Sequence, residues 1–258
     1  MSYQSGGVRW HRGKNLFLPF REGGVPPGEP DPFFASVILL ATGDQYPFND
    51  QSPLARPSTI VDGASPIFQD TTNLLFGTPG IGFPLSGGYP YVGYGTNFDL
   101  SGPFTIEGFF FPTIAAKNGE VLWNFPRVPP SGPLYYGARV HQFGFDYYQG
   151  SWNNNPQSAT SPLIRVNLNQ WNYFCIECPP PATIGRYSIN GAYITASTFS
   201  ARPTLAQNFR FGADVSTGVQ FTGSINQFRI TRVARYNPTG WVGNIPPVPT
   251  APWPTFGP

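Results

Sequence analysis

Residues 221–237 constrain the fold more than any other part of the chain. They place Ile225, then Phe228 and Ile230, on one buried face, so the two-residue alternation of an extended strand slips once between Ile225 and Phe228. A slip inside an otherwise regular strand predicts a β-bulge. Arg229, Arg232 and Arg235 follow at intervals of three, and in an extended chain such positions cannot all point one way. These arginines are therefore expected at the rims of a sheet rather than on a basic face.

The rest of the chain agrees with strands and turns. Its 258 residues suit one large β-domain with appendages. Aromatic residues make up 16% of it, with 30 glycines and 31 prolines, a balance that favours short strands joined by many turns. Charged residues are only 11% and the net charge is +2, too little for a nucleic-acid-binding surface. So sparsely charged a chain is expected to depend on an assembly for its solubility, as one of many copies.

Residues 1–7 lack the apolar core of a secretory signal. The longest apolar stretch, residues 33–41, contains Ser36 and is far shorter than the ~20 residues needed to cross a bilayer, so no membrane partner is expected. Cys175 and Cys178 stand three apart on a predicted strand, roughly 10 Å, too far for an unstrained disulfide, and are expected as free thiols. A Cys-x-x-Cys pair is also half of a zinc site, but no second pair exists and His11 and His141 are distant in sequence, so no metal is expected. Asp44, Asp50 and Asp62 lie among prolines and glycine and read as turn caps rather than calcium ligands; no cofactor is implied.

Taken in order, residues 1–30 form an arm with no hydrophobic period, which cannot fold by itself. Its Trp10, Leu16, Phe17 and Phe20 are candidates for anchoring on a neighbouring subunit. The domain proper is expected over residues 31–237, opening at Asp31 and Pro32 with a strand over 35–40 and another near 59–61. In residues 104–111, Phe104, Ile106, Gly108 and Phe110 share one face and Thr105, Glu107, Phe109 and Phe111 the other, which predicts a central strand covered on both sides. Glu107 among those rings is expected as a buried, hydrogen-bonded structural carboxylate, the other outcome being a raised pKa. Residues 121–125 read as a strand, 134–148 as one strand or a hairpin, and 209–211 as a strand. Asn190 and Gly191 suit the positive φ angles of a type I′ hairpin turn. Residues 238–258 form a proline-rich extended tail in which Trp241 and Trp253 are candidate anchors.

The loop at 149–162 is the candidate ligand site, with Tyr148 at its entrance and Trp152, Asn153, Asn154 and Asn155 within it. Flat rings stack on the C–H faces of sugars and amides bond their hydroxyls. The competing reading is that Asn serves turn geometry and Trp152 packs back on the sheet.

Four stretches, 98–112, 171–177, 185–194 and 221–237, resemble in order the motifs of laminin-G-like modules, concanavalin A-like lectin/glucanase jelly rolls of the version found in bacteriophage structural proteins. The resemblance implies an all-β, concanavalin A-like jelly-roll sandwich of two antiparallel sheets with extended N- and C-terminal arms. It further implies a non-enzymatic virion protein, made in the host cytoplasm, held by its arms on other virion proteins and displaying the jelly roll for adhesion to host-surface glycans. One alternative is a capsid decoration (cement) or tail protein with no glycan ligand. Another is a glycoside hydrolase, which needs two carboxylates facing one sugar. The sole acidic pair two residues apart, Glu29 and Asp31, lies at the edge of the arm, so Glu107, Asp146 and Glu177 would have to converge.

Overall fold

The computed structural model describes residues 30–85, 88–95, 98–114, 120–125, 135–141, 144–150, 156–157, 166–180, 184–198, 208–214, 219–236 and 245–257. The strands are β1 (Val37–Ala41), β2 (Ser58–Val61), β3 (Phe68–Leu75), β4 (Thr78–Phe83), β5 (Tyr91–Tyr94) and β6 (Phe104–Pro112). There follow β7 (Glu120–Phe125), β8 (Tyr135–His141), β9 (Gly144–Gly150), β10 (Pro156–Gln157), β11 (Asn172–Cys178) and β12 (Ile184–Ile189). The last are β13 (Ala192–Thr198), β14 (Phe209–Phe211), β15 (Ala213–Asp214), β16 (Val219–Gln220) and β17 (Gly223–Thr231). Among the described residues there is no α-helix, only a single 3₁₀ turn at Phe34–Ser36 where a strand was expected to begin.

Two antiparallel sheets make a jelly-roll sandwich. One has eight strands in the order β13-β12-β11-β6-β17-β4-β3, with β1 also paired to β17; the other has seven in the order β10-β9-β8-β7-β14-β5-β2. β6 lies between β11 and β17, and eight of its nine residues are buried, as its two apolar faces predict. Residues 134–148 resolve into the β8–β9 hairpin. Asn190 and Gly191, at φ 50° and 74°, make the expected turn between β12 and β13.

The inner faces supply one core, in which Phe228 meets Phe211, Phe209 and Phe174 at ring-centroid distances of 4.5, 5.2 and 5.8 Å. Gly108 lies beneath that cluster. A Cβ there would stand 3.0 Å from Phe228 Cδ2 and 3.2 Å from Phe174 Cε1, so the absence of a side chain is what lets both rings settle on β6.

The bulge falls where the alternation slips. Asn226 pairs with Phe109 and Arg229 with Glu107, so two residues of β17 stand opposite Gly108 alone, and Gln227 takes φ 48°. Phe228 thereby stays inside while Arg229 turns to the outer face. That face is not a rim. A second apolar cluster of Val37, Leu40, Phe109, Tyr173, Cys175 and Trp253 covers it, using segments from both ends of the described chain. The rim expectation holds for Arg232, which is exposed and donates from Nε to the Asp99 carbonyl at 3.2 Å. It fails for Arg229 and Arg235, whose side chains are 3% and 5% exposed, because the bulge and the covering segments bury them. Cys175 and Cys178 are thiols outside any disulfide, both buried, in the outer and inner clusters respectively.

Candidate ligand-binding face

The acidic residues decide first which surface can act. On the outer face of the eight-stranded sheet, Glu107 Oε1 accepts Arg229 Nη2–H at 2.6 Å and Nε–H at 3.0 Å, while Oε2 accepts the hydroxyls of Tyr173 at 2.6 Å and Tyr236 at 2.5 Å. Asp31 takes Arg229 Nη1–H on Oδ2 at 3.0 Å and Arg235 Nη2–H on Oδ1 at 2.8 Å. Two arginines thus face two carboxylates, and Asp31 and Glu107 are both 0% exposed. Burial pushes the Glu107 carboxyl upward, but Arg229, Arg235 and the two tyrosine hydroxyls outweigh it and hold the group below its usual range. The same carboxylate and burial push the Tyr173 and Tyr236 phenols well up. Glu107 is therefore an ionised structural residue, the expected outcome rather than a raised acid.

Glu177 is on the neighbouring strand β11, and its Oε2 accepts the Tyr236 N–H at 2.8 Å and the Thr105 hydroxyl at 3.3 Å. Glu107 and Glu177 therefore share a face, but both are 0% exposed; Asp146 belongs to β9 of the opposite sheet. No sugar can enter between the first two without unpacking the cover. The turn aspartates are occupied as caps: Asp50 accepts the Leu40 and Ser52 N–H groups at 2.9 and 2.8 Å and pairs with Arg56, and Asp62 accepts the Ile67 N–H at 2.8 Å. Asp44 accepts from the amide of Gln51 at 2.8 Å and from the Thr42 hydroxyl.

The seven-stranded sheet turns a different face outward. Its register joins Thr59 to Gly93, Gly93 to Arg210, Arg210 to Asn124, Asn124 to Gly137, Gly137 to Tyr148 and Tyr148 to Pro156. Directly opposed residues project the same way, and Val92, Tyr94, Phe209, Phe211 and Ala138, which alternate with this row, lie in the core. The described side chains of this row, Thr59, Arg210 and Asn124, therefore point away from the core. Thr59 is exposed, and Tyr91 and Arg210 are half-buried. The Tyr91 ring leans along its strand over Gly93, where a Cβ would meet Cε2 at 3.4 Å. The Arg210 guanidinium lies over that ring, 4.4 Å from its centroid. Beside it Asn124 donates to the Ala213 carbonyl at 3.0 Å, and its buried Oδ1 has no partner.

Of the residues singled out in the sequence, Tyr148 is on β9, its backbone in this row, though its side chain lies outside the description. Trp152, Asn153, Asn154 and Asn155 also lie outside the described residues, between β9 and β10 in the sequence. Trp10, Leu16, Phe17, Phe20 and Trp241 are likewise outside them. Trp253 is a correction. It is 8% exposed and packs in its own chain, under the Arg229 guanidinium at 4.0 Å, with its N–H donated to Gln227 Oε1 at 2.9 Å. An indole so placed has no surface left for a neighbouring subunit. Tyr91 and Arg210 were not foreseen; the signal was a tyrosine two residues before Gly93, on the same face of one short strand.

No protein-family model and no curated protein matches the sequence. Solved structures match by shape. Domain 4 of AbnA, a GH43 extracellular arabinanase from Geobacillus stearothermophilus, in complex with arabinotriose, aligns with a TM-score of 0.59 at 13% identity over 80% of this chain and 96% of that one. The binding domain of botulinum neurotoxin DC in complex with rat synaptotagmin II gives 0.53 at 13% identity, over 79% of this chain and 49% of that one. A mutant of Trypanosoma rangeli sialidase displaying trans-sialidase activity gives 0.52 at 12% identity, over 78% and 31%. At such identities the likeness establishes the fold alone, a jelly-roll sandwich.

Proposed function

We propose that this chain is a non-enzymatic, lectin-like adhesion module of a bacteriophage particle, displayed in many copies and binding host-surface glycans through the outer face of its seven-stranded sheet. The observation that carries the reading is the contrast between the two outer faces. One is sealed by the chain's own segments, with Glu107 and Glu177 out of reach of solvent. The other leaves Thr59, Tyr91 and Arg210 accessible, in a row that leads to the strands flanking the Trp152 loop. A guanidinium held on the Tyr91 ring and side-chain hydroxyls on a rigid sheet put hydrogen-bonding groups in fixed places for a saccharide.

Two further considerations support it. The structurally similar arabinanase domain was solved with an oligosaccharide, arabinotriose. The virion setting rests on the resemblance of four stretches to phage modules and on the sparse charge of the chain. The test is a glycan array probed with the purified chain, repeated with Tyr91→Ala and Trp152→Ala. Retention of a defined set of glycans, weakened by either change at unaltered melting temperature, is the expected result. Blank arrays together with binding to purified phage particles would replace it with the reading of a decoration or tail component without a glycan ligand. Hydrolysis of any retained glycan would overturn the non-enzymatic part.

A further inference from the structure

We infer that Arg210, braced on Tyr91, makes the open face selective for saccharides carrying a carboxylate or sulfate group over neutral ones; this rests on the glycan-binding reading above. Three other arginines whose side chains are at most 10% exposed are matched by carboxylates. Arg56 is paired with Asp50, Arg229 with Glu107 and Asp31, and Arg235 with Asp31. Arg210 differs: its guanidinium stacks on the Tyr91 ring and makes no side-chain hydrogen bond or ion pair among the described residues. Its neighbours on this face, Thr59, Val61, Tyr91, Gly93 and Asn124, are all uncharged. The positive charge therefore stands uncompensated on a half-open surface.

Stacking matters as much as charge. A free arginine side chain loses rotamer entropy, roughly 0.5–1.5 kcal/mol, when a ligand fixes it. Here the ring already holds the guanidinium plane, so part of that loss is met before any ligand arrives. A guanidinium has five N–H donors in a fixed fork and no acceptor. Sugar hydroxyls, which both donate and accept, use such a fork poorly. Two coplanar or tetrahedrally arranged oxygens sharing a negative charge use it fully, through parallel charge-assisted hydrogen bonds. The exposed hydroxyl of Thr59, two strand spacings away or ~10 Å, is placed to meet an uncharged part of the same ligand.

The experiment is a calorimetric titration of the full chain with three matched oligosaccharides, one neutral, one bearing uronic acid and one sulfated, at low and at raised salt. The acidic ligands are expected to bind about tenfold more tightly than the neutral one, the effect of one charge-assisted contact, and to lose that advantage as salt rises. Arg210→Ala should erase the preference, bringing the acidic ligands down to the affinity of the neutral one, at unaltered melting temperature. Arg210→Lys should keep part of the preference for sulfate and lose most of that for carboxylate, because an ammonium cannot bond bidentately. Equal affinity for all three, or a preference untouched by Arg210→Ala, overturns the inference alone. Failure to bind any saccharide overturns the adhesion reading and this inference with it.

Discussion

The guanidinium of Arg229 rests 4.0 Å from the centroid of the Trp253 indole, and the same guanidinium donates to both Glu107 and Asp31. One side chain therefore joins the middle of β6, the entry to the domain and a segment near the end of the described chain. The indole shields the charges from water, and in that dry setting the ion pairs hold only because every charge has a partner.

Trp253→Ala is expected to destabilise the protein by about 3 kcal/mol or more, through lost apolar burial and through water reaching the arginine. Chemical unfolding monitored by fluorescence measures it. Trp253→Phe, which keeps a ring over the guanidinium, should recover more than half of the loss. An alanine variant as stable as the parent would show that the segment is only loosely attached.

The charged cluster makes the protein sensitive to acid. Because the folded Glu107 carboxyl is held below its unfolded value, its contribution is present above the ordinary glutamate range near pH ~4.3 and is lost as pH falls toward the folded pKa. Unfolding free energies measured from about pH 4.5 down to about pH 3 should fall accordingly. Glu107→Gln should flatten that dependence and lower stability at neutral pH by roughly 3–5 kcal/mol, since Arg229 then lacks its main counter-charge.

Glu120 works in the opposite sense. It is 7% exposed, and burial lifts its carboxyl to about 7 against the pull of the Thr222 N–H that it accepts at 3.0 Å. A folded pKa above the unfolded one favours the native state at low pH, so stability should decline as pH rises from ~4.3 through about 7, by at most roughly 3 kcal/mol. Glu120→Gln keeps the acceptor without the charge and should remove this slope. An unchanged slope in that variant would assign it to another group.

Gly108→Ala tests the inner core. The new methyl would press on Phe228 and Phe174, both fully buried, and the expected cost is about 1–3 kcal/mol from overpacking. Pairing it with Phe228→Leu, which frees room, should give a double variant more stable than the sum of the two changes allows.

What could be read from the chain beforehand depended on how local the cause was. The two apolar faces of residues 104–111, the slip at Phe228 and the Asn190-Gly191 turn are each written in a few consecutive residues, and each appears where expected. Arg229 was misplaced because its partners stand far off: Asp31 is 198 positions away in sequence. The β3–β4 hairpin was also missed. Its turn is made by Phe76 and Gly77, at φ 52° and 80°, in place of an Asn-Gly pair, and the polar run of β3 reflects an edge strand with little to bury. On the open face, the pairing of Tyr91 with Arg210 depends on a strand register between segments more than a hundred residues apart, which no local pattern encodes.

The Asp31 N–H donates to the Phe256 carbonyl at 3.1 Å, so the first and last described segments meet side by side. A circularly permuted chain, with these two points spliced by a few glycines and new ends opened elsewhere, should keep its shape.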